Sequence, residues 1–138
     1  MTTGDDDPSP RWRSEYLYSR EHEWVKVDDD VCTVGITHFA QEELGEVVFV
    51  ELPEVGHVYD AMDEIGTIES VKAVAELYTP VAGEIIEVNA AAVEDPALVN
   101  DDPQGDGWLV KIRFSTQSDL AHLMNAEAYE KYVQEGAG

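Results

Sequence analysis

From Trp24 to Phe114 the sequence is punctuated every few residues, and that rhythm limits the fold more than any other feature. Trp24-Val25-Lys26-Val27 alternates apolar and polar, Asp28-Asp29-Asp30 supplies a turn, and Val31 to Ile36 alternates again, the pattern of a hairpin. Thr37 is placed to cap a short helix, His38 to Leu44, which Gly45 ends. Val47 to Leu52 reads as an apolar strand interrupted only by Glu51 and stopped by Pro53 and Gly56, with Val58 opening a further short piece. Two more alternating strands follow, Glu64 to Glu69 and Val74 to Thr79, joined by Ser70-Val71-Lys72-Ala73. After the turn Pro80-Val81-Ala82-Gly83 comes a strand over Glu84 to Asn89. Pro96 to Asn100 reads as one helical turn or loop, Asp101 to Gly107 as a polar turn, and Trp108 to Phe114 as the last strand. Many short strands without long intervening helices predict a mainly β fold, a sandwich or flattened barrel.

Beyond Phe114 the period changes. Ser118 is placed to cap Asp119 to Met124, and Asn125 to cap Ala126 to Gln134, where Ala128, Tyr129, Tyr132 and Val133 recur at helical spacing. That face is expected to pack on the sheets while Glu127, Glu130 and Lys131 stay in solvent. At the other end, residues 1–14 carry Asp5-Asp6-Asp7 and two prolines and read as a mobile acidic tail. The domain is expected to span 15–135, with 136–138 a second short tail. The acidic cluster and missing apolar stretch match neither a mitochondrial nor a secretory leader, so a cytoplasmic location is expected.

Thirty acidic residues stand against eight basic ones, a formal net charge of -22. Such a field disfavours nucleic acid, which is bound through Lys and Arg at phosphates. No apolar run approaches the ~20 residues of a membrane helix. The acids are spread along the whole chain, as in a surface adapted to a salty interior. Cys32 is the only cysteine and lies in a strand pattern, so it is read as a small core residue. His22, His38, His57 and His122 share no metal-binding spacing. Trp24 and Trp108 are read as core or core-edge aromatics and Trp12 as exposed.

Lys72 is the chemical candidate. It lies in a link between two strands too short for a large loop, so its stem projects into solvent. A lysine there suits attachment of a cofactor that must reach other proteins' active sites. Taken by itself the same position is that of any exposed turn lysine.

The residues around it point further. Gly66-Thr67-Ile68-Glu69-Ser70-Val71-Lys72-Ala73 resembles the lipoylation segment of glycine cleavage H proteins, whose core is Glu-Ser-Val-Lys-Ala. His22-Glu23-Trp24-Val25, Val34-Gly35-Ile36-Thr37, the run Leu44 to Pro53, the run Pro80 to Asn89, Leu98-Val99-Asn100, Asp102-Pro103, Gly107-Trp108-Leu109 and Ala126-Glu127-Ala128-Tyr129 resemble other segments of that family in order. The resemblance covers about Tyr16 to Val133 and implies a lipoyl/biotinyl-type flattened barrel or sandwich of two antiparallel sheets, with short helices and a C-terminal one. It implies lipoate in amide linkage to Lys72 and no catalytic residue in the chain itself. The arm would accept the aminomethyl group of glycine at the pyridoxal-phosphate glycine decarboxylase and deliver it to the aminomethyltransferase, where tetrahydrofolate takes the one-carbon unit. Dihydrolipoamide dehydrogenase would reoxidise the dithiol, and a lipoyl-attaching enzyme would load Lys72.

Glu69, Ser70, Val71 and Ala73 support the attachment site under this resemblance, and Glu23 would offer a carboxylate to the cationic loaded arm. As a bare sequence feature Glu23 is a surface acid. Glu64 is read as a solvent-facing strand position. Gly66 is read as relieving a twist or allowing close strand approach, with a plain strand defect as the alternative. Two positions depart from the family's common pattern: Ala75 stands where Ser is usual, and Gln104 where an aromatic is frequent. The alternatives are a lipoyl domain of a 2-oxoacid dehydrogenase, a biotin carrier, an H-like protein that relays lipoate, and a non-lipoylated acidic interaction module. The first two usually present Asp-Lys-Ala or Met-Lys-Met at the tip, where this chain has Val71-Lys72-Ala73.

Overall fold

Two antiparallel sheets hold most of the buried apolar side chains between them, as the succession of short strands predicts. The computed structural model describes residues 15–114 and 120–135; the expected tails at 1–14 and 136–138, Trp12, and the cap Ser118 with Asp119 lie outside the described residues. In chain order the elements are β1 (Leu17–Tyr18), β2 (Glu23–Asp28), β3 (Val31–Ile36), α1 (His38–Leu44), β4 (Val47–Glu51), β5 (Val58–Tyr59), β6 (Glu64–Ser70), β7 (Val74–Tyr78), β8 (Gly83–Val88), α2 (Ala90–Glu94), α3 (Ala97–Asp101), β9 (Val110–Arg113) and α4 (Ala126–Gln134). One sheet runs β1-β2-β3-β9-β8-β5 and the other β4-β6-β7.

Alternation decides which side chains face inward. Val25, Val34, Ile112 and Ile85 from the larger sheet meet Val47, Val50, Ile68 and Leu77 from the smaller one in a shared core. Cys32 lies in that core, fully buried, and desolvation pushes its thiol up to about 12. The β2–β3 turn is two residues long, with Asp29 at φ 59°, a conformation that a short polar side chain tolerates. Gly66 allows the close approach expected of it: a Cβ there would stand 2.4 Å from the Glu51 carbonyl oxygen.

A second, smaller cluster sits outside the sandwich. Tyr16 stacks on Trp24 and Tyr18 on Tyr129, each with ring centroids 4.7 Å apart, which docks α4 against β1 and β2. The Trp24 indole N–H donates to the Pro103 carbonyl at 2.8 Å. Asn125 caps α4 as expected, accepting from the Ala128 N–H at 2.8 Å. The apolar face is shifted, however. Ala126, Tyr129, Tyr132 and Val133 pack inward around the Tyr18–Tyr129 stack, while Ala128 is exposed.

α2 is an element that the residue pattern did not announce. It is only five residues long, and its first-turn N–H groups are satisfied by Asn89, whose side chain accepts from Ala91 at 3.2 Å. The last strand is also shorter than its apolar run. It begins at Val110 because Trp108 is still in a turn, its N–H donating to the Gly105 carbonyl.

Candidate functional site

The link between β6 and β7 is built by one serine. Ser70 is buried, and its Oγ accepts from the Ala73 N–H at 3.0 Å and the Lys72 N–H at 3.3 Å, while its own N–H donates to the Ala73 carbonyl at 2.7 Å. The hydroxyl thus takes a turn N–H that a backbone carbonyl usually accepts. Val71 and Lys72 stand out from this turn, both exposed. The Val71 N–H donates to the Glu46 carbonyl at 3.0 Å, which binds the tip to the segment entering β4. Of the sequence-singled residues, Glu69, Val71, Lys72 and Ala73 are all exposed at this end of the small sheet, with Ser70 beneath them.

Beside the tip runs a groove of about 330 Å³ between α1 and β7. Its apolar walls include Ile36, Phe39, Leu44 and Ile68, and Glu21, His22 and Glu76 stand along it with Glu23. α1 forms one wall because Thr37 caps it, accepting from the Ala40 N–H at 3.1 Å, and because Gly45 ends it at φ 79°. Ala75, where the family usually carries Ser, also lines the groove and makes it more apolar there.

Glu23 is the residue that local sequence misplaces. Rather than a surface acid, it is 1% exposed. Leaving water raises its carboxyl to about 7, although hydrogen bonds from Ser19 and from the Tyr78 backbone oppose the rise. The Ser19 hydroxyl donates to Oε1 at 2.5 Å and the Tyr78 N–H donates to Oε2 at 3.3 Å, so both oxygens are held. Ser19 Oγ also accepts from the N–H groups of Glu21 and Glu23, which shapes the tight 19–23 turn and places His22 at φ 70°. His22 Nδ1 lies 2.7 Å from the Tyr129 hydroxyl, which is itself 2.8 Å from Thr37 Oγ1. The C-terminal helix therefore braces the loop and the helix cap that flank the groove.

Sequence reasoning also missed the role of Asn100. Its Oδ1 accepts from the Val47 N–H at 2.8 Å, and its Nδ2 donates to Gln41 Oε1 at 2.9 Å and to the Gly45 carbonyl at 2.8 Å. One side chain thus ties the end of α1 to the start of β4. The only sequence signal was its place in Leu98-Val99-Asn100, a motif without a stated task. Gln104, the second departure from the family pattern, is buried; its Oε1 accepts from the His38 N–H at 2.9 Å, while its Nε2 has no hydrogen-bond partner among the described residues.

An exposed lysine on a fixed turn, next to an apolar groove with a buried carboxylate, matches the geometry of a tethered-arm carrier. Residues 16–136 match the family model described as glycine cleavage H-protein. The chain belongs to that family. It is 51% identical over 118 residues to the glycine cleavage system H protein of Carboxydothermus hydrogenoformans, covering 86% of this chain and 91% of that one. Against the glycine cleavage system H protein of Herpetosiphon aurantiacus the identity is 51% over 123 residues, covering 89% and 94%. The crystal structure of a glycine cleavage system H protein from Mycobacterium marinum superposes with a TM-score of 0.78 at 38% identity, covering 90% of this chain and 98% of that one. The chain is accordingly a non-catalytic lipoyl carrier of the glycine cleavage system, with lipoate covalently attached through a lysine. Membership does not favour the relay or unmodified-module readings. Among the described residues no helix is long and apolar enough to cross a membrane.

Proposed function

We propose that Lys72 is the lysine that carries lipoate, and that the groove between α1 and β7 shelters the cationic end of the loaded arm with Glu23 as its counterion. The observation that carries this reading is the joint placement of Lys72 and the groove. The lysine is exposed on a turn that Ser70 holds, and that turn lies at the end of a channel with apolar walls and one buried carboxylate. These residues fit the group: an aliphatic arm gains from apolar walls, and a cationic terminus gains from a desolvated anion.

Bound to Lys72, lipoate would supply the disulfide/dithiol chemistry by which the aminomethyl group of glycine is carried. The chain's own residues supply position. Ser70 fixes the turn from which the arm swings, Phe39 and Leu44 exclude water from the channel, and Ser19 and the Tyr78 N–H hold the two oxygens of Glu23 in place. Tethering keeps the reactive end at high effective concentration near a docked enzyme. The partners in this reading are the glycine decarboxylase, the aminomethyltransferase, dihydrolipoamide dehydrogenase and a lipoyl-attaching enzyme, and the site of action is the cytoplasm. Family membership supports these partners, and the location rests on the sequence reading.

Intact mass tests the attachment site. Coexpression with a lipoate ligase and lipoate should add one lipoyl group to the full chain, and Lys72→Arg should abolish the addition. A modified Lys72→Arg protein, or an unmodified parent, would sink the assignment.

A further inference from the structure

Among the described residues, four of the eight exposed large apolar side chains, Val48, Phe49, Val71 and Val74, lie at the Lys72 end of the small sheet. A register shift brings them out. Val47 is opposite Ser70 and Phe49 is opposite Glu69, so two steps along β4 match one along β6 and Val48 is the extra residue. Regular alternation would turn one of Val48 and Phe49 inward; the bulge leaves them 48% and 50% exposed. Phe49, Glu69 and Val74 are partners across all three strands, so their side chains form one row on the outer face. Val71, on the turn itself, is 71% exposed.

These side chains add little to the core, and Thr would serve the strands equally well. Their placement suits contact with another molecule. Glu69 lies within the patch, and Glu46, Glu51 and Glu76 surround it, all exposed. None of the four has an ion-pair partner among the described residues. The complementary surface is therefore apolar at its centre and basic at its rim.

We propose that this patch is the docking surface for the lipoyl-attaching enzyme, a proposal that rests on Lys72 being the attachment residue. Reach selects that partner over the others. In the attachment step neutral Nζ attacks the carbonyl carbon of an activated lipoyl acyl donor. The amide C–N bond forms, the bond to the activating group breaks with its electron pair, and Nζ releases a proton. Nζ is only roughly 6 Å from its Cα on an extended stem. The enzyme must therefore close over the hairpin tip, where Val71, Val74 and Phe49 lie. Enzymes that act at the far end of the finished arm are held off by its length.

The test is the rate at which a purified lipoate ligase, given lipoate and ATP, modifies the full-length chain, followed by intact mass. The double variant Val48→Thr/Phe49→Thr changes two exposed patch residues that do not line the arm groove and keeps strand-favouring residues there. It should lower kcat/KM for the carrier about tenfold, mostly through KM. Val48→Ile/Phe49→Leu, which keeps the patch apolar, should stay within about twofold of the parent. Once driven to full modification, the Thr variant should be reoxidised by dihydrolipoamide dehydrogenase at the parent rate. A parental KM for the Thr variant overturns the docking proposal, and so does an equal loss in the reoxidation assay. A parent that is not modified at Lys72 overturns the attachment reading instead, and this is scored before any variant is compared.

Discussion

The Lys72 stem lies over Gly45: a Cβ on Gly45 would stand 3.3 Å from Lys72 Cε. The glycine that ends α1 is thus also the surface over which the base of the arm passes. Gly45 has φ 79° and ψ -149°, a region closed to side-chain-bearing residues. Gly45→Ala is expected to cost about 1–3 kcal/mol in backbone strain. It should also displace the lysine stem by a few tenths of an ångström. Urea unfolding measures the first effect, and a slower lipoylation rate at unchanged fold the second.

Glu23 links stability to pH with a definite sign. Its carboxyl is raised from 4.5 to about 7, chiefly by burial, so between those values the folded state holds a proton that the unfolded state has released. Stability contributed through Glu23 therefore falls as pH rises through that window and levels off above it, by about 3 kcal/mol in all. Glu23→Gln should remove this slope. The check is the difference between parent and variant in urea unfolding at pH 5 and pH 8. A constant difference would show that Glu23 does not titrate in that range.

The same titration should govern protection of the loaded arm. In the carrier without a loaded arm Glu23 is neutral below about 7 and a carboxylate above it, and only the carboxylate offers a counterion. Glu21, Glu76 and His22 also line the channel, and the Ser19 hydroxyl favours the charged form of Glu23. Spontaneous loss of the aminomethyl group from the loaded carrier should slow as pH rises, with a midpoint below that of the free carrier because the cationic arm favours the carboxylate. Ser19→Ala should shift that midpoint upward, and Ser19→Thr should restore it. Single-turnover release of ammonia against pH gives the profile.

Asn100→Ala removes three hydrogen bonds at the junction of α1 and β4. At about 1 kcal/mol each, the loss should be roughly 2–4 kcal/mol, with the Val47 N–H left without its acceptor. Asn100→Asp keeps the acceptor but loses both donated bonds and should fall between the two. Denaturant midpoints rank the three proteins.

Cys32 should be chemically silent in the native state. Buried in the core, with its thiol pushed up to about 12, it carries almost no thiolate at pH 8. A thiol reagent should label it only after denaturant is added, and native labelling at the unfolded rate would contradict that.

Alternation and turn chemistry made the strands legible before any coordinates, since side-chain direction in a strand has period two and depends on neighbours close in sequence. The cap at Thr37, the stop at Gly45 and the placement of Lys72 in a tight turn were readable for the same reason. α2 was not, because five residues carry too little periodicity. Ala128 was assigned to the wrong side of α4 because helical spacing fixes a stripe but not the partner it meets.

The site divides along the same line. Sequence by itself determined the tight turn that exposes Lys72, and the family, both encoded in short contiguous segments; that Ser70 holds the turn is seen only in the structure. Only the tertiary structure decided that Glu23 is buried rather than exposed, for its environment comes from Ser19, Tyr78 and the groove walls, up to 55 residues away. It likewise decided that Asn100 is a clamp, and that Val48 and Phe49 share an outer face with Val74. Burial and long-range hydrogen bonding are properties of the packed chain, and no local pattern specifies them.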